Sequence, residues 1–191
     1  MFLNCHGREH HAAALHLLKY IKGTRDLGIT YSPDSSLEVF GYSDADWASN
    51  IDTRRSTTGY VFYAAGGPVS WKSKVQPTVA LSSTEAEYMA LTSCAQEAMS
   101  LKQLQKEFLV TSLLPTLIYE DNQGAIAMSI NPVMHKTSKH ISIRQHFIRE
   151  KVQDEDVRLE YCRTEDMFAD ALTKPLSKVI FLRLRSKLLG M

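Results

Sequence analysis

The chain has 191 residues, with 22 Lys and Arg against 21 Asp and Glu, and 44% of its residues are hydrophobic. This composition is typical of a folded globular domain, and it excludes a long disordered chain and a polycation that binds nucleic acid through bulk charge. No apolar run reaches the roughly 18 residues that cross a membrane, and the first residues lack the pattern of a signal peptide. Three widely spaced cysteines predict free thiols in a reducing, cytoplasmic compartment, with the nucleus left open.

Two structural units are predicted, and the boundary between them lies at a turn. Residues 8–22 are rich in helix-forming side chains, and residues 27–31 form a short predicted strand. The segment Ser32–Ser36 that follows is rich in turn-forming residues. We therefore divide the chain into residues 1–36 and residues 37–191.

The second unit alternates strands and helices in an order that indicates a mixed α/β fold. Runs of aromatic and β-branched residues predict three strands before a long helix, and the Gly66–Gly67 turn makes the second and third strands antiparallel. Ser82 and Glu85 have the spacing of a capping box at the start of that helix. The predicted strands cover residues 37–44, 58–65, 68–74, 116–120 and 157–162, and the predicted helices cover residues 83–109, 124–129, 139–152, 164–173 and 177–189. This order predicts one mixed five-stranded sheet flanked by helices.

Four acidic residues occupy places in this scheme where ligands often bind, such as the carboxyl ends of strands. They are Asp44 at the end of the first strand, Glu87 near the start of the long helix, Asp121 after the fourth strand and Asp170 in a later helix. Neighbouring carboxylates repel unless a proton or a cation neutralises them, and oxygen ligands select Mg²⁺ or Mn²⁺. Two such ions about 4 Å apart catalyse phosphodiester cleavage. The same acids also fit ordinary roles as turn, helix-start and capping residues, and the residues alone leave both interpretations open.

Seven short segments point further, because together they match one known family in order. The segments are Gly41–Ala48, Arg55–Phe62, Val69–Lys74, Ser82–Leu91, Glu120–Gln123, Lys139–Ile141 and Ala169–Pro175. Over residues 37–190 they resemble the ribonuclease H domain of copia-type retrotransposon polyproteins, and residues 8–31 resemble the end of the preceding reverse transcriptase. The resemblance implies a ribonuclease H-like fold and metal-dependent cleavage of the RNA strand of RNA–DNA hybrids. It also implies a reverse transcriptase domain or an element particle as a partner.

The resemblance also implies a set of site residues. The metal-binding acids of the family match Asp44, Glu87, Asp121 and Asp170, which would hold two Mg²⁺ ions, or Mn²⁺ in their place. Asp46 lies two positions after Asp44 and faces the same way if the strand continues, and Glu85 is the less favoured choice beside Glu87. The histidine that many ribonucleases H carry shortly before the last acid has no counterpart between Leu159 and Asp170. This departure concerns turnover more than metal binding.

Several basic residues are candidates for contacts with hybrid phosphates. Residues 134–151 hold five Lys or Arg and three His against one Glu, which fits phosphate binding and equally fits a solvated helix face. Lys72 and Lys74 lie beside Trp71, which we predict as a core residue because a strand tryptophan is usually buried. The candidate nucleic-acid ligands are Lys72, Lys74, Asn122, Lys136, Lys139 and Arg144.

Two hypotheses follow for the function. The first is a ribonuclease H that uses two metal ions. The alternative is a catalytically silent remnant of an element that binds nucleic acid or protein. Metal-dependent cleavage separates the two hypotheses, whereas hybrid binding alone does not.

Overall fold

The computed structural model of the chain describes residues 4–108, 114–130 and 139–190. Its elements in chain order are α1 (Arg8–Gly23), β1 (Phe40–Asp46), β2 (Thr57–Ala64), β3 (Gly67–Val75), α2 (Ser83–Glu107), β4 (Thr116–Glu120), α3 (Gln123–Ile130), α4 (Lys139–Gln153), β5 (Val157–Tyr161), α5 (Asp170–Thr173) and α6 (Lys178–Leu188). One turn of 3-10 helix, Thr164–Asp166, lies between β5 and α5. In the part of the chain described here, no helix is long and apolar enough to cross a membrane.

The five strands form one sheet in the order β3-β2-β1-β4-β5. The first three strands are antiparallel, whereas β4 runs parallel to β1 and β5 runs parallel to β4. This is the predicted mixed five-stranded sheet, so the fold class is confirmed. In the parallel pair Tyr42 lies opposite Tyr119. The register therefore carries Asp44 and Asp121, each two residues further along, to the same edge of the sheet.

Helix α2 packs across one face of the sheet and begins at the predicted cap. Ser82 Oγ accepts a hydrogen bond from the Glu85 N–H at 3.1 Å, and the Glu85 carboxylate accepts one from the Leu81 N–H at 2.9 Å. The first bond satisfies a free donor of the first turn, and the second ties the residue before the cap to Glu85, so together they fix where the helix starts. Small and apolar side chains then pack on the strands, and Leu91 and Ile118 are among the side chains fully buried in this core. The rigid start of α2 is the platform for Glu87.

Two predicted elements differ from the structure. Residues 27–31 form no strand, and the Thr30 N–H instead donates to a carbonyl just after α6 at 3.3 Å. The helix predicted over residues 164–173 is broken into the 3-10 turn and the single turn of α5, with extended backbone at Met167. Met167 and Ala169 are both fully buried. The extended backbone at Met167 interrupts the helix, and the Asp170 N–H donates to the Met167 carbonyl at 3.2 Å in the turn that leads into α5.

Trp71 is 56% exposed, so its prediction as a core residue is wrong. It lies on β3, an edge strand, where the next side chain, Lys72, reaches Ser93 of α2 at 3.2 Å. Because successive strand side chains alternate, Trp71 points away from α2. Strand propensity does not say which face of a strand another layer covers, and this is why the prediction failed.

The N-terminal helix lies apart from the main core. None of the side chains of α1 is buried, and the ring of Tyr20 contacts that of Phe181 on α6 with centroids 5.7 Å apart. The division of the chain into residues 1–36 and 37–191 stays a prediction.

Candidate metal centre

Three carboxylates converge at the end of the sheet where strands β1 and β4 finish. One oxygen from each of Asp44, Glu87 and Asp121 lies within 4.8 Å of the others. The parallel pairing of β1 with β4 supplies the two aspartates, and the capped start of α2 supplies Glu87. Asp44 is 1% exposed and Glu87 is 7% exposed. Three elements of the backbone therefore hold these carboxylates together, two of them buried and Asp121 partly exposed.

The neighbouring acids have other positions. Strand β1 continues to Asp46, so Asp44 lies inside the strand and not at its end as predicted. Glu85 is engaged in the cap of α2 through the Leu81 N–H. The group of three close carboxylates found among the described residues includes neither Asp46 nor Glu85. The structure thus places Asp44 and Glu87, and not these neighbours, in the cluster.

Asp170 lies beside the cluster and pairs with a lysine. It is the first residue of α5 and is 6% exposed. Lys174 Nζ lies 2.8 Å from Asp170 Oδ1 and 3.8 Å from Asp44 Oδ1. The Thr173 hydroxyl donates to Asp44 Oδ2. The fourth predicted acid is therefore linked to Asp44 through an ammonium group that the sequence analysis did not assign to the site.

A fifth carboxylate, Glu120, was also missed. It is fully buried, and its Oε1 accepts a hydrogen bond from the Asn122 N–H at 3.1 Å. Its Oε2 has no hydrogen-bond partner among the described residues. The signal was present in the alternation of β4, because Thr116, Ile118 and Glu120 all point to the buried side.

Burial dominates the electrostatics of the centre. Loss of hydration raises the pKa of Asp44 to about 6, although the Lys174 ammonium opposes the shift. The pKa of Glu87 is raised much further, first by burial and then by the negative charges of Glu120 and Asp44. Burial also raises the pKa of Glu120 and of Asp170. Carboxyl groups that resist ionising side by side are well suited to a divalent cation, which supplies the missing positive charge.

The donor set fits a hard divalent cation. Asp44, Glu87 and Asp121 offer only carboxylate oxygens, which suit Mg²⁺ or Mn²⁺. Glu87 Oε2 is buried and finds no hydrogen-bond partner in the described part of the chain. A buried oxygen without a partner is costly unless a ligand satisfies it. The arrangement can therefore bind a metal ion and leave coordination positions for water or a phosphate oxygen.

Two polar side chains support the strand-to-helix turn after β4. Asn122 Oδ1 accepts a hydrogen bond from the Ala125 N–H at 3.0 Å, so Asn122 caps α3. Thr164 Oγ1 donates to Asp121 Oδ2 at 2.7 Å. Thr164 belongs to the segment in which the family histidine has no counterpart, and it orients one of the clustered acids.

A basic groove of about 500 Å³ lies between the edge strand β3 and helix α2. Four of the described residues that line it are cationic and none is acidic. These cations are Arg55, Lys72, Lys74 and Arg144. Lys72 is anchored by its bond to Ser93 and by the ring of Tyr60, whose centroid is 5.6 Å from Nζ. Arg144 Nη1 is buried without a hydrogen-bond partner among the described residues.

The basic groove lies at the same end of the sheet as the metal centre. Lys74 pairs with Thr58, and Thr58 pairs with Ala45, the chain neighbour of Asp44. Two strand spacings of about 5 Å therefore separate Lys74 from the central strand.

The structure thus brings three predicted nucleic-acid ligands together with Arg55, which opens one of the matched segments but was not predicted as a ligand. Of the other predicted ligands, Lys136 lies outside the described residues. For Lys139 only the backbone, at the start of α4, is described. Asn122 lies at the turn after β4.

Sequence comparison finds relatives among retrotransposon polyproteins. The chain is 41% identical over 187 residues to the retrovirus-related Pol polyprotein from transposon RE1 of Arabidopsis thaliana. It is 40% identical over 190 residues to the polyprotein from transposon TNT 1-94 of Nicotiana tabacum. The alignments cover 98% and 100% of this chain but 13% and 14% of these relatives, so the chain matches a small part of their length. No model of a known protein family matches the chain.

Structure comparison finds ribonucleases H. LC11-RNase H1, isolated from compost by a metagenomic approach, superposes with a TM-score of 0.54 at 14% identity, over 72% of this chain and 93% of that one. RNase H1 from Halobacterium salinarum gives a TM-score of 0.52 at 17% identity, over 71% and 94%. At such low identity these likenesses establish the fold. The chain is therefore homologous to one segment of copia-type retrotransposon Pol polyproteins, and it has the fold of a ribonuclease H.

Proposed function

We propose that the chain is a metal-dependent endonuclease that hydrolyses the RNA strand of RNA–DNA hybrids, as in retrotransposon reverse transcription. The observation that carries the proposal is the convergence of Asp44, Glu87 and Asp121 within 4.8 Å at the sheet edge. The relationship to transposon Pol polyproteins supports this role. The solved complex of LC11-RNase H1 with an RNA/DNA hybrid, at a TM-score of 0.50, supports the substrate class.

The acids of the centre would hold the metal, with Asp170 beside the close group of three. Two Mg²⁺ ions, or Mn²⁺, bound there would supply an activated water and stabilise the leaving oxygen. The chain itself fixes the geometry: paired strands position Asp44 and Asp121, and Thr164 orients the second of these. Burial keeps bulk water from Asp44 and Glu87, so a cation bound there would interact with them more strongly than in solvent.

The basic groove would bind the phosphates of the hybrid. Lys74 and Arg55 extend exposed charges into it, and Arg144 adds a buried guanidinium nitrogen without a partner among the described residues. Lys72 is bound to Ser93, so we assign it a weaker part. Phosphate contacts of this kind release counterions and make affinity depend strongly on salt.

The proposed partner follows from the same relationship to Pol polyproteins. A reverse transcriptase domain or an element particle is the proposed partner, because the chain matches only 13% of the length of a Pol polyprotein. The exposed helix α1 supplies a surface for such a contact. A cytoplasmic location, with the nucleus left open, likewise stays a prediction.

Cleavage of a labelled RNA–DNA hybrid by the purified chain tests the proposal, with Mg²⁺, with Mn²⁺ and with a chelator. Asp121→Asn removes one charge at nearly constant volume, and we expect the rate to fall at least about a thousandfold. The exposed Asp52 supplies a matched control, since Asp52→Asn changes the charge equally and should leave the rate unchanged.

Near-normal cleavage by Asp121→Asn would contradict the assignment of the metal centre. Cutting that persists in chelator would do the same. A folded chain that binds the hybrid without cutting it would favour the silent binding module instead.

A further inference from the structure

Lys174 places a positive charge among the acids of the metal centre. Its Nζ lies 2.8 Å from Asp170 Oδ1 and 3.8 Å from Asp44 Oδ1. The lysine side chain is 30% exposed, whereas those of Asp44 and Asp170 are 1% and 8% exposed. The ammonium group therefore lies at the mouth of the centre and faces two buried carboxylates.

The fold holds Lys174 in this position. It follows the single turn of α5, and its N–H donates to the Asp170 carbonyl at 3.1 Å. The preceding residue, Thr173, donates its hydroxyl to Asp44. The turn packs directly on β2, because a Cβ added to Gly59 would lie 2.5 Å from Thr173 Cγ2. Backbone and packing thus direct the lysine toward the acids.

Asp170 lies outside the close group of three acids, although its carboxyl group contacts that of Asp44. Asp44, Glu87 and Asp121 form the close group of three, and this group does not include Asp170. Asp170 instead pairs with Lys174, which also lies near Asp44. The group of three suits one divalent ion. A second ion held by Asp44 and Asp170 would lie next to the Lys174 ammonium, a charge of the same sign as that ion.

We propose that Lys174 is a positioning residue that takes the place of the second cation. The first metal ion binds to the close group of three, and the second binds between Asp44 and Asp170 only by displacing the ammonium group. Lys174 thereby sets the order of metal binding and holds Asp170 in place beforehand. The inference rests on the proposed metal-dependent function.

Calorimetric titration of the full chain with Mn²⁺ tests this role without measuring cleavage. In Lys174→Met the second ion should bind at least about tenfold more tightly, because a partly screened like charge has been removed. Lys174→Arg keeps the charge and should behave as the wild type. Lys178→Met removes an exposed lysine at the start of α6 and is the matched control. Unchanged Mn²⁺ affinity in Lys174→Met would overturn the inference.

Thermal unfolding gives a second readout. In chelator, Lys174→Met should unfold at a lower temperature than the wild type, because Asp44 and Asp170 lose their counter-charge. Mn²⁺ should then raise the unfolding temperature of the variant by more than that of the wild type. Equal shifts in the two proteins would speak against a cation role.

If Lys174→Met does not fold, the inference can still be tested on the wild-type protein. Lysine side chains carrying ¹³C-methyl groups can be followed by NMR, with the Lys174 signal identified by its absence in Lys174→Arg. We expect that signal to move as the second Mg²⁺ ion binds, and a fixed signal would overturn the inference. If the wild type cleaves hybrids while Lys174→Met binds metal unchanged, only this inference fails. If the wild type binds no metal, the proposed function fails with it.

Discussion

The candidate metal centre and the basic groove differ in how their charged side chains are held. Asp44 and Glu87 have short side chains that are almost fully buried and are positioned by a strand and a capped helix. Lys74 and Arg55 carry exposed charges at the ends of long, flexible side chains. Burial fixes geometry and makes isolated charges unstable, whereas exposure provides attraction without fixed geometry. The comparison shows how one small domain keeps a fixed cluster of buried acids apart from a set of exposed, flexible cations.

The largest difference between the two regions should appear in the pH dependence of stability without metal. Burial raises the pKa of Asp44 from 3.8 to about 6. Between these pH values the folded chain keeps a proton that the unfolded chain releases, so the free energy of unfolding falls as pH rises. We expect this group to contribute a loss of about 3 kcal/mol across that range. Urea unfolding in chelator at several pH values measures it.

Substitution of the same aspartate sharpens this result. Asp44→Asn cannot ionise, so the decline between pH 4 and pH 6 should be smaller than in the wild type. Saturating Mg²⁺ should also flatten the curve of the wild type, because the cation stabilises the ionised carboxylates. If the free energies of unfolding of the wild type and Asp44→Asn depend on pH in the same way in chelator, Asp44 does not have the raised pKa.

A smaller effect is expected in the basic groove, and it concerns binding instead of stability. Lys74→Ala and Arg55→Ala should each weaken hybrid binding roughly fivefold at low salt and make the salt dependence of log K less steep by about 1. The maximal cleavage rate at saturating hybrid should not change, because neither residue contacts the acids. Fluorescence anisotropy over a salt series measures the affinity. Lys187→Ala on the exposed side of α6 is the control. If it weakened hybrid binding as much as Lys74→Ala does, the groove would not be the preferred binding surface.

The smallest effect is expected at Trp71, on the other face of the groove's own strand. Because this side chain is 56% exposed, Trp71→Ala should change the free energy of unfolding by less than about 1 kcal/mol. Hybrid affinity should stay the same, since Trp71 points away from the groove. Chemical denaturation of the variant measures the first quantity. A loss of about 3 kcal/mol or more would be typical of a core aromatic residue and would reverse the conclusion.

The acids could be predicted one by one because their positions depend on local patterns. A strand pattern precedes Asp121, and the capping box marks the start of the helix that carries Glu87. Glu120 and Lys174 had local signals too, in the inward alternation of β4 and in the spacing of four residues from Asp170. These two were missed because a single acid in a strand or a lysine before proline has many ordinary roles.

Local sequence patterns do not show which strands pair with each other or which face of a strand another element covers. The convergence of Asp44 with Asp121 depends on the parallel pairing of β1 with β4, which no short segment encodes. The exposure of Trp71 depends on which face of β3 is covered. Arg55 lies in a loop, and its place in the groove depends on the packing of β3 against α2. Tertiary contacts decide each of these features.

The parallel pair has a consequence for the order in which the molecule forms. Strands β1, β2 and β3 are joined by short connections, whereas Phe40 must find Leu117 across the whole of the intervening hairpins and α2. Contacts between residues distant in the chain form slowly, since the closure of a long loop precedes any gain. We therefore expect the antiparallel half to form first and Asp121 to join last. The carboxylates meet only at that final step, so divalent ions added during refolding should speed the late phase and leave the early phase unchanged.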